Sequence, residues 1–330
     1  MAKISWLHFS DFHIRAENTI DQSVIQEEFF KDLERQLTEN NIMLTFIFFT
    51  GDVAFSASRK EYEIAINFFN ELCHKTNIDK KNLFIIPGNH DVNRYNVSKL
   101  LDDSRMELKS REEIREIFTK EQVLQKYLTR FDNYSKFISE LYGINFEMNP
   151  ENYFSAEMRT VEGIKFGIIG LNSVWASYGG RHDSNNIYIS EIQLGKALTQ
   201  VKDASIKIVL LHHPLSWLFE EDQADIENLL FTHSDIILHG HLHRPDFQII
   251  NSIKGQQVVI PAGAIYTGRR ISNSYNVTLL DFSTKQIRII PRRYYDGPRK
   301  FLKDIEMLGD DKPTYFEMDI PKKILSSIEK

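Results

Sequence analysis

The 330-residue sequence has a single cysteine, Cys73, which excludes an internal disulfide and a metal site built from several thiolates. Cys73 lies in the segment EYEIAINFFNELCHK, where it shares a helical face with Ile66 and Phe69. Free cysteines on apolar faces pack as small hydrophobic residues. The pattern therefore predicts a buried core cysteine rather than a reactive one.

An excess of positive charge is also missing, since 46 acidic residues oppose 40 basic ones and the formal net charge is −6. The chain thus has no overall positive field that would attract nucleic acid or an anionic membrane. A bound pair of divalent cations can reverse the sign of the field locally. The composition therefore argues against non-specific DNA binding but does not exclude a phosphate-bearing substrate.

Long hydrophobic runs are absent as well. The N-terminal run in MAKISWLHFSD soon meets charge, so it fits neither a secretory signal nor a membrane span. We therefore expect a cytoplasmic protein without a membrane partner. With 42% hydrophobic residues, the chain can still bury a large core.

Five short apolar runs are each followed at once by a small polar cluster. The runs are rich in Ile, Phe, Leu and Val, which is typical of buried strands, and helical patterns separate several of them. Strand, helix and strand in succession predict an α/β fold with parallel pairing and right-handed crossovers. Ligands of open α/β sheets bind outside the carboxyl ends of the strands. We expect all five clusters at that edge: Asp11-Phe12-His13, Gly51-Asp52, Gly88-Asn89-His90-Asp91, His212-His213-Pro214 and Gly240-His241-Leu242-His243.

The chain is predicted to form one main domain over residues 1–296. Residues 95–142 are highly charged, free of Gly and Pro, and helical in period, which predicts a helical insertion. This insertion is expected either to cap the active-site edge or to form a solvated hairpin. Later apolar runs predict a second, more antiparallel sheet packed on the first. The pattern weakens over 297–330, an extension that docks on the body or leads to a partner.

The side chains at the predicted strand ends are carboxylates, one carboxamide and imidazoles, without sulfur. Such donors suit hard to borderline divalent ions, namely Mn²⁺, Fe²⁺, Zn²⁺ or Mg²⁺. Seven ligands exceed the need of one tetrahedral ion and suit two ions that share a carboxylate. The Asp-x-His and His-x-His spacings fit an extended edge, where residues i and i+2 point to one side. Each cluster alone is explained by an ordinary turn, whereas five in succession are not. The candidate metal ligands are Asp11, His13, Asp52, Asn89, His212, His241 and His243.

The five motifs, in this order, resemble the signature of the calcineurin-like metallophosphoesterase superfamily and span roughly residues 4–245. The resemblance implies a sandwich of two mixed β-sheets flanked by helices, with a helical insertion. It also implies an enzyme that hydrolyses phosphoric esters with two divalent metal ions, with Mn²⁺ preferred. No ligand position departs from the pattern.

The resemblance further implies how the ligands divide between the two ions. Asp52 would bridge them. His212 is preferred to His213 because the family histidine stands two residues before the proline of this motif. One ion would be held by Asp11, His13 and His243, and the other by Asn89, His212 and His241.

Roles in catalysis and substrate binding follow from the same resemblance and from position in the sequence. His90 would act as general acid on the leaving oxygen, with Asp91 as its orienting partner, after attack by a metal-bound hydroxide. Arg244 follows the last motif directly and is a candidate phosphate contact. Asn172 and His182 are weaker candidates, for which a turn and a solvated loop are the alternatives.

Two basic pairs, Arg269-Arg270 and Arg292-Arg293, are candidates to bind a nucleic-acid backbone. The alternative is ordinary solvated surface charge.

The substrate is expected to be a nucleotide or nucleic-acid phosphodiester. The His-His-Pro motif and the segment Gly170-Leu-Asn-Ser resemble most the cyclic-nucleotide-phosphodiesterase and exonuclease-like branches of the superfamily. A nuclease needs an open basic groove, and a cyclic-nucleotide enzyme needs a smaller enclosed pocket. A phosphomonoesterase and a non-catalytic interaction scaffold are the alternatives. A protein partner, if there is one, is expected at 95–142 or at the C-terminal tail.

Overall fold

The computed structural model describes residues 2–17, 20–93, 108, 110–178, 180–242, 247–252, 255–266, 268 and 273–328. Within them the chain forms two mixed β-sheets packed face to face, with helices on both outer sides. This arrangement confirms the predicted fold class.

The described elements follow one another with short connections. The strands are β1 (Lys3–Phe9), β2 (Phe46–Phe49), β3 (Leu83–Ile85), β4 (Ser155–Val161), β5 (Ile164–Gly170), β6 (Ile206–Leu211), β7 (Ile236–His239), β8 (Gln248–Ser252), β9 (Gly255–Pro261), β10 (Ser274–Asp281), β11 (Gln286–Tyr295), β12 (Lys300–Lys303) and β13 (Phe316–Asp319). The α-helices are α1 (Ile20–Glu39), α2 (Arg59–Thr76), α3 (Arg111–Thr119), α4 (Glu121–Leu128), α5 (Asp132–Tyr142), α6 (Glu191–Gln200), α7 (Glu220–His233), α8 (Ile305–Leu308) and α9 (Lys322–Ile328).

The first sheet has the order β12-β11-β10-β1-β2-β3, and β13 also pairs with β11. Strands β1, β2 and β3 run parallel, and β10 pairs antiparallel with β1. The sequence predicted that the late antiparallel strands build a separate second sheet, and this is wrong for β10 to β13. They extend the first sheet, because β1 offers its free edge to β10 with Trp6 opposite Thr278.

The second sheet has the order β4-β5-β6-β7-β9-β8. Its four central strands, β5, β6, β7 and β9, are parallel, and the edge strands β4 and β8 are antiparallel to their neighbours. Helices α6 and α7 connect its parallel strands. Parallel strands that are connected by helices have their carboxyl ends at the same edge of the sheet.

Alternate residues of the central strands enter two different cores. In β1, Leu7 and Phe9 face the core under α1 and α2, whereas Ile4 and Trp6 face the core between the sheets. Burial on both faces explains why the strand sequence is an uninterrupted apolar run. The free Cys73 is buried in the helix-side core, as predicted, and burial raises the pKa of its thiol to about 11.

The described part of the 95–142 segment belongs to this helical layer. Helix α3 begins at Ser110 with a capping box, in which Glu113 N lies 3.3 Å from Ser110 Oγ and Ser110 N lies 3.0 Å from a Glu113 oxygen. Ile117 and Phe137 are buried in the same core as α2. The alternative of a solvated hairpin is therefore wrong for 110–142. Residues 94–107 and 109 lie outside the described part of the chain.

The segment 297–330 continues the first sheet as far as the structure describes it. Phe301 of β12 stands opposite Tyr294, and Phe316 of β13 stands opposite Ile289. Helix α9 buries Ile324 in the core between the sheets. In the part of the chain that the structure covers, every helix is too short or too polar to traverse a bilayer.

Candidate metal centre

Loops that follow strands of both sheets meet at one edge of the sandwich. The loop after β1 is bound to the loop after β2, since Asp11 N donates to Gly51 O at 2.9 Å and Phe12 N donates to Asp52 O at 2.9 Å. The loops after β6 and β7 meet in the same way, with Gly240 N 3.1 Å from His212 O. Backbone hydrogen bonds between these loops therefore bring the polar clusters together, as the sequence predicted. His243, a candidate ligand, lies outside the described residues.

His212 is the centre of one group of ligand atoms. Its Nε2 lies 3.0 Å from Asn89 Oδ1, 3.5 Å from Asp52 Oδ2 and 3.2 Å from His241 Nδ1. The side chain is fully buried and the ring is held from behind, because its Nδ1 lies 2.8 Å from the carbonyl oxygen of Thr50. A carbonyl can only accept, so Nδ1 carries the proton and Nε2 presents a lone pair.

The protonation of His212 tests whether these residues fit a metal ion. With the proton on Nδ1, the Nε2 lone pair faces the acceptor oxygens Asn89 Oδ1 and Asp52 Oδ2. Buried acceptors that point at one another are unfavourable unless a donor or cation stands between them. A histidine whose second nitrogen donates to a backbone carbonyl is typical of metal ligation. The residues therefore fit a divalent cation.

A second group of ligand atoms includes the same carboxylate oxygen. His13 Nε2 lies 3.7 Å from Asp11 Oδ1 and 3.7 Å from Asp52 Oδ2. These distances are too long for hydrogen bonds. They are of the order expected for ligand atoms that each stand roughly 2.0–2.2 Å from a common ion. Asp52 Oδ2 thus faces both His13 and His212, which is the placement of a shared ligand.

The Asp52 carboxylate is the most constrained group of the centre. Burial acts to raise its pKa, but His212, His90 and His13 outweigh burial and hold the pKa of Asp52 below its ordinary value. Its other oxygen, Oδ1, accepts a hydrogen bond from His90 N at 2.7 Å. The ionised form that a cation requires is therefore also the form that the surrounding groups favour.

The backbone at the candidate ligands has an unusual conformation. The φ angles are 52° at Asp11, 46° at His13, 61° at Asp52 and 69° at His241. Positive φ is uncommon outside glycine and costs about 1–3 kcal/mol per residue, so it persists where surrounding structure imposes it, often at functional sites. The sequence pattern gives no sign of this.

Two glycines allow the loops to approach closely. A Cβ on Gly88 would collide with the Oδ1 and backbone nitrogen of Asp52, and a Cβ on Gly51 would lie 2.5 Å from His212 Nδ1. Gly51 also has φ +98°. The expectation that glycines before the ligands allow a sharp turn and close approach agrees with both positions.

His90 stands at the mouth of the centre. Its ring lies 4.5 Å from the His13 ring, centroid to centroid, and its Nδ1 lies 2.7 Å from the carbonyl oxygen of Phe55. That carbonyl fixes the Nδ1–H tautomer and the orientation of the ring. A ring nitrogen of His90 also lies within 4.8 Å of ligand atoms of His13 and Asp52.

Asp91 has a different part from the one predicted. Its carboxylate accepts hydrogen bonds from the backbone nitrogens of Val53, Ala54 and Gly88 at 3.1, 3.0 and 2.9 Å, and from the Tyr62 hydroxyl at 3.0 Å. Burial, followed by the nearby Asp52 charge, raises the pKa of Asp91 to about 6. Asp91 therefore clamps the two ligand-bearing loops together, and the orienting contact on His90 comes from Phe55 instead.

His213, the alternative to His212, is held from the other side. Its Nδ1 lies 3.1 Å from Ser173 Oγ, and its ring stacks on Trp217 at 5.8 Å and 18°. Burial lowers the pKa of His213 well below its usual value. One of its nitrogens lies within 4.8 Å of ligand atoms of His212 and His241. The contacts to Asn89 and Asp52, however, belong to His212, which favours His212 as the ligand.

The three candidate substrate contacts lie in different surroundings or outside the described residues. Asn172 is buried, and its side chain accepts from Val174 N at 2.9 Å and contacts the Met148 sulfur at 3.4 Å, so the amide stabilises a turn. It lines a separate cavity of about 460 Å³ between the edge strands β3 and β4. His182 is exposed and packs against Tyr178. Arg244 lies outside the described residues.

The basic pair Arg292-Arg293 has intramolecular partners. Arg292 is buried and forms two hydrogen bonds of 2.7 Å with Asp32, and Arg293 pairs with Glu306. The buried Arg292 side chain cannot bind a nucleic-acid backbone, so that candidate role is wrong for Arg292. Arg269-Arg270 lies outside the described residues.

Sequence reasoning missed several residues that shape the centre. The Thr50 and Phe55 carbonyls orient two histidines, Tyr62 supports Asp91, and the Arg15 guanidinium lies over the Phe55 ring. Backbone carbonyls leave no signal in a sequence. The only available hint was proximity, because Thr50 and Phe55 flank Asp52 within three residues.

Comparison with known proteins identifies the family of the chain. Residues 4–245 match the family of calcineurin-like phosphoesterases. An uncharacterized metallophosphoesterase-like protein of Bacillus subtilis (strain 168), YydB, is 22% identical over 273 residues, which are 80% of this chain and 54% of the relative. The chain thus spans about half the length of that relative.

A solved structure of a plant phosphatase shares the fold. The purple acid phosphatase PPD1 of yellow lupin seeds superposes with a TM-score of 0.53 at 12% identity, over 98% of this chain and 55% of its own. Vacuolar protein sorting 29 of Cryptosporidium parvum matches with a TM-score of 0.41 at 13% identity, over 96% of this chain and 98% of its own. The likeness to the lupin enzyme shows the fold alone. The match of residues 4–245 shows that the chain belongs to the calcineurin-like phosphoesterase family.

Proposed function

We propose that the protein is a dinuclear metal-dependent phosphodiesterase that hydrolyses a nucleotide or nucleic-acid phosphodiester. The observation that carries the proposal is the shared oxygen Asp52 Oδ2, which lies 3.7 Å from His13 Nε2 and 3.5 Å from His212 Nε2. A single carboxylate oxygen that faces an imidazole nitrogen on each side is suited to be a ligand shared by two adjacent cations.

The donor set supports the choice of ions. The described ligands of the first site are Asp11, His13 and Asp52, and those of the second site are Asp52, Asn89, His212 and His241. Oxygen and imidazole donors without sulfur suit Mn²⁺ first, with Fe, Zn or Mg as alternatives. Two divalent ions held there would neutralise phosphoryl charge and activate water as the nucleophile.

The protein's own groups act mainly on the leaving oxygen. His90, with Nδ1 fixed by the Phe55 carbonyl, can present a proton on Nε2 to an alkoxide that leaves the phosphorus. Asp91 acts at a distance, because its four hydrogen bonds hold the loops of Asp52 and His90 in register. Proton donation matters most for poor leaving groups such as the sugar hydroxyl of a nucleotide diester.

The motif forms support a diester substrate over a monoester. His212-His213-Pro214 and Gly170-Leu-Asn-Ser resemble the branches that act on cyclic nucleotides and polynucleotides. A hydrolysis screen with Mn²⁺ tests the proposal directly. Bis(p-nitrophenyl) phosphate and p-nitrophenyl phosphate report diester and monoester activity, while single- and double-stranded DNA, RNA and cyclic nucleotides define the substrate class.

The matched control for this screen is Asp52→Asn, which removes one charge and leaves the side-chain shape. We expect Mn²⁺-dependent diester hydrolysis by the wild type and its loss in the variant. Faster turnover of the monoester would identify a phosphomonoesterase. Binding of no divalent metal, together with no hydrolysis of any ester, would identify a non-catalytic scaffold.

A further inference from the structure

An arginine side chain lies flat on an aromatic ring at the rim of the metal centre. The Arg15 guanidinium carbon is 3.5 Å from the centroid of the Phe55 ring. Arg15 is exposed, and 36% of the Phe55 surface is exposed. Guanidinium groups stack on aromatic faces through cation–π attraction and planar contact. Phe55 therefore orients a surface cation that would otherwise be mobile.

The Phe55 ring also fixes where this cation stands. Its centroid is 5.3 Å from the His90 ring and 6.4 Å from the His13 ring. His90 is the candidate donor to the leaving oxygen, and His13 is a candidate metal ligand. The ring that carries Arg15 is therefore nearer to the candidate proton donor than to the candidate metal ligand.

The charge of Arg15 is available to a ligand. Within the described residues Arg15 forms no ion pair, whereas Arg59, Arg111 and Arg288 each pair with a carboxylate. A planar guanidinium matches the geometry of phosphate oxygens and binds them through charge-assisted hydrogen bonds. An oriented and unpaired guanidinium beside a phosphoesterase centre is suited to an anionic group of the substrate.

We propose that Arg15, stacked on Phe55, binds a phosphate group adjacent to the scissile one on the leaving-group side. The inference rests on the phosphodiesterase function proposed above, and it names the substrate class as oligonucleotide chains. The Phe55 ring that carries Arg15 stands beside the His90 ring, so the guanidinium would contact a group of the substrate next to the scissile phosphoryl. A cyclic mononucleotide has one phosphate and would leave Arg15 without a contact.

Dinucleotides with and without an extra phosphate test the proposal. The value of kcat/KM with Mn²⁺ is measured for a thymidine dinucleotide and for the same compound phosphorylated at its 5′ or its 3′ end. We expect the wild type to prefer one phosphorylated form by roughly ten- to hundredfold, the range of one charge-assisted hydrogen bond. In Arg15→Gln this preference should fall to about one.

Two further variants sharpen the result. Phe55→Leu removes the ring that orients the guanidinium and should reduce the preference while Arg15 remains. Arg288→Gln is the matched control, because Arg288 also lies over a ring, 4.2 Å from the Tyr315 centroid, on strand β11. It should keep the full preference. Equal loss on all three dinucleotides in Arg15→Gln, or an unchanged preference, would overturn the proposal.

Binding measurements distinguish a failure of the Arg15 proposal from a failure of the proposed function. Isothermal titration calorimetry of the same dinucleotides against metal-free protein measures the preference without Mn²⁺-dependent turnover. If the wild type hydrolyses no diester but binds a phosphorylated form more tightly through Arg15, the proposed function fails and the Arg15 site stands. If diesters are hydrolysed without any phosphate preference, the function stands and the Arg15 site is refuted.

Discussion

Replacement of the shared carboxylate by Asp52→Asn should abolish the thermal stabilisation that metal ions give to the protein. Asp52 Oδ2 faces the ligand nitrogens of both groups, so the substitution removes an anionic donor from each site at once. Asp11 and Asp52 are the two described carboxylates among the candidate ligands, so the variant halves their formal charge. Both changes weaken the binding of divalent cations.

The expected rise in Tm follows from the free energy of ion binding, because an ion that binds only the native state stabilises it. An ion at 100 times its dissociation constant stabilises the native state by about 2.7 kcal/mol. At about 2.1 cal/mol/K per residue, the unfolding entropy of 330 residues is roughly 0.7 kcal/mol/K. Each ion should therefore raise the Tm by about 4 °C in the wild type. In Asp52→Asn the rise should be below about 1 °C.

Differential scanning fluorimetry with and without Mn²⁺ measures this rise. Asp222→Asn is a suitable control, because Asp222 is also a buried aspartate but accepts from Ile189 N and Ser190 N at 2.6 and 3.0 Å. Its own Tm will change, while the rise with Mn²⁺ should remain. If Mn²⁺ raises the Tm of Asp52→Asn as much as that of the wild type, Asp52 is not a ligand that both sites share.

Three other substitutions test separate parts of the structure. His90→Ala should retain metal-induced stabilisation but slow turnover by about 10²–10⁴-fold on alkyl leaving groups, with a smaller loss on p-nitrophenolate, in steady-state kinetics. In the metal-free protein, His8→Gln should make the free energy of unfolding, measured with urea, less dependent on pH between 4 and 6.5. Burial, followed by His239, lowers the pKa of His8 from 6.5 to about 3, so the unfolded state binds an extra proton and stability decreases by about 1.4 kcal/mol for each unit by which the pH is lowered. Arg292→Gln should destabilise the fold by about 1–3 kcal/mol in urea, because buried Asp32 loses two hydrogen bonds but keeps Arg35 and Tyr275 as partners, and should leave oligonucleotide affinity unchanged.

Each of these has a contrary outcome. Equal losses of turnover on good and poor leaving groups would remove His90 from proton transfer. An unchanged pH slope in His8→Gln would mean that the imidazole does not resist protonation in the fold. Weaker oligonucleotide binding by a stably folded Arg292→Gln protein would return that residue to the substrate surface.

The fold class and the family can be predicted from local patterns in the sequence. Alternating burial on two faces makes each central strand an uninterrupted apolar run, and this signal is local. The motifs are local too, because residues such as Asp11 and His13, or Asn89 and His90, come from one strand end. A rule of sheet geometry, that parallel strands end at one edge, was enough to predict that separate clusters converge.

The contacts of neighbouring side chains, in contrast, depend on how distant segments pack together. Asp91 and His90 are adjacent in the chain, yet Asp91 binds the backbone of the Asp52 loop and His90 binds the Phe55 carbonyl. Arg292 belongs to a basic pair, which suggested an exposed surface charge. Its side chain is instead buried against Asp32, 260 residues away. The placement of β10 beside β1 likewise depends on a distant edge. Such partners are chosen by packing between remote segments, and no local pattern of residues records them.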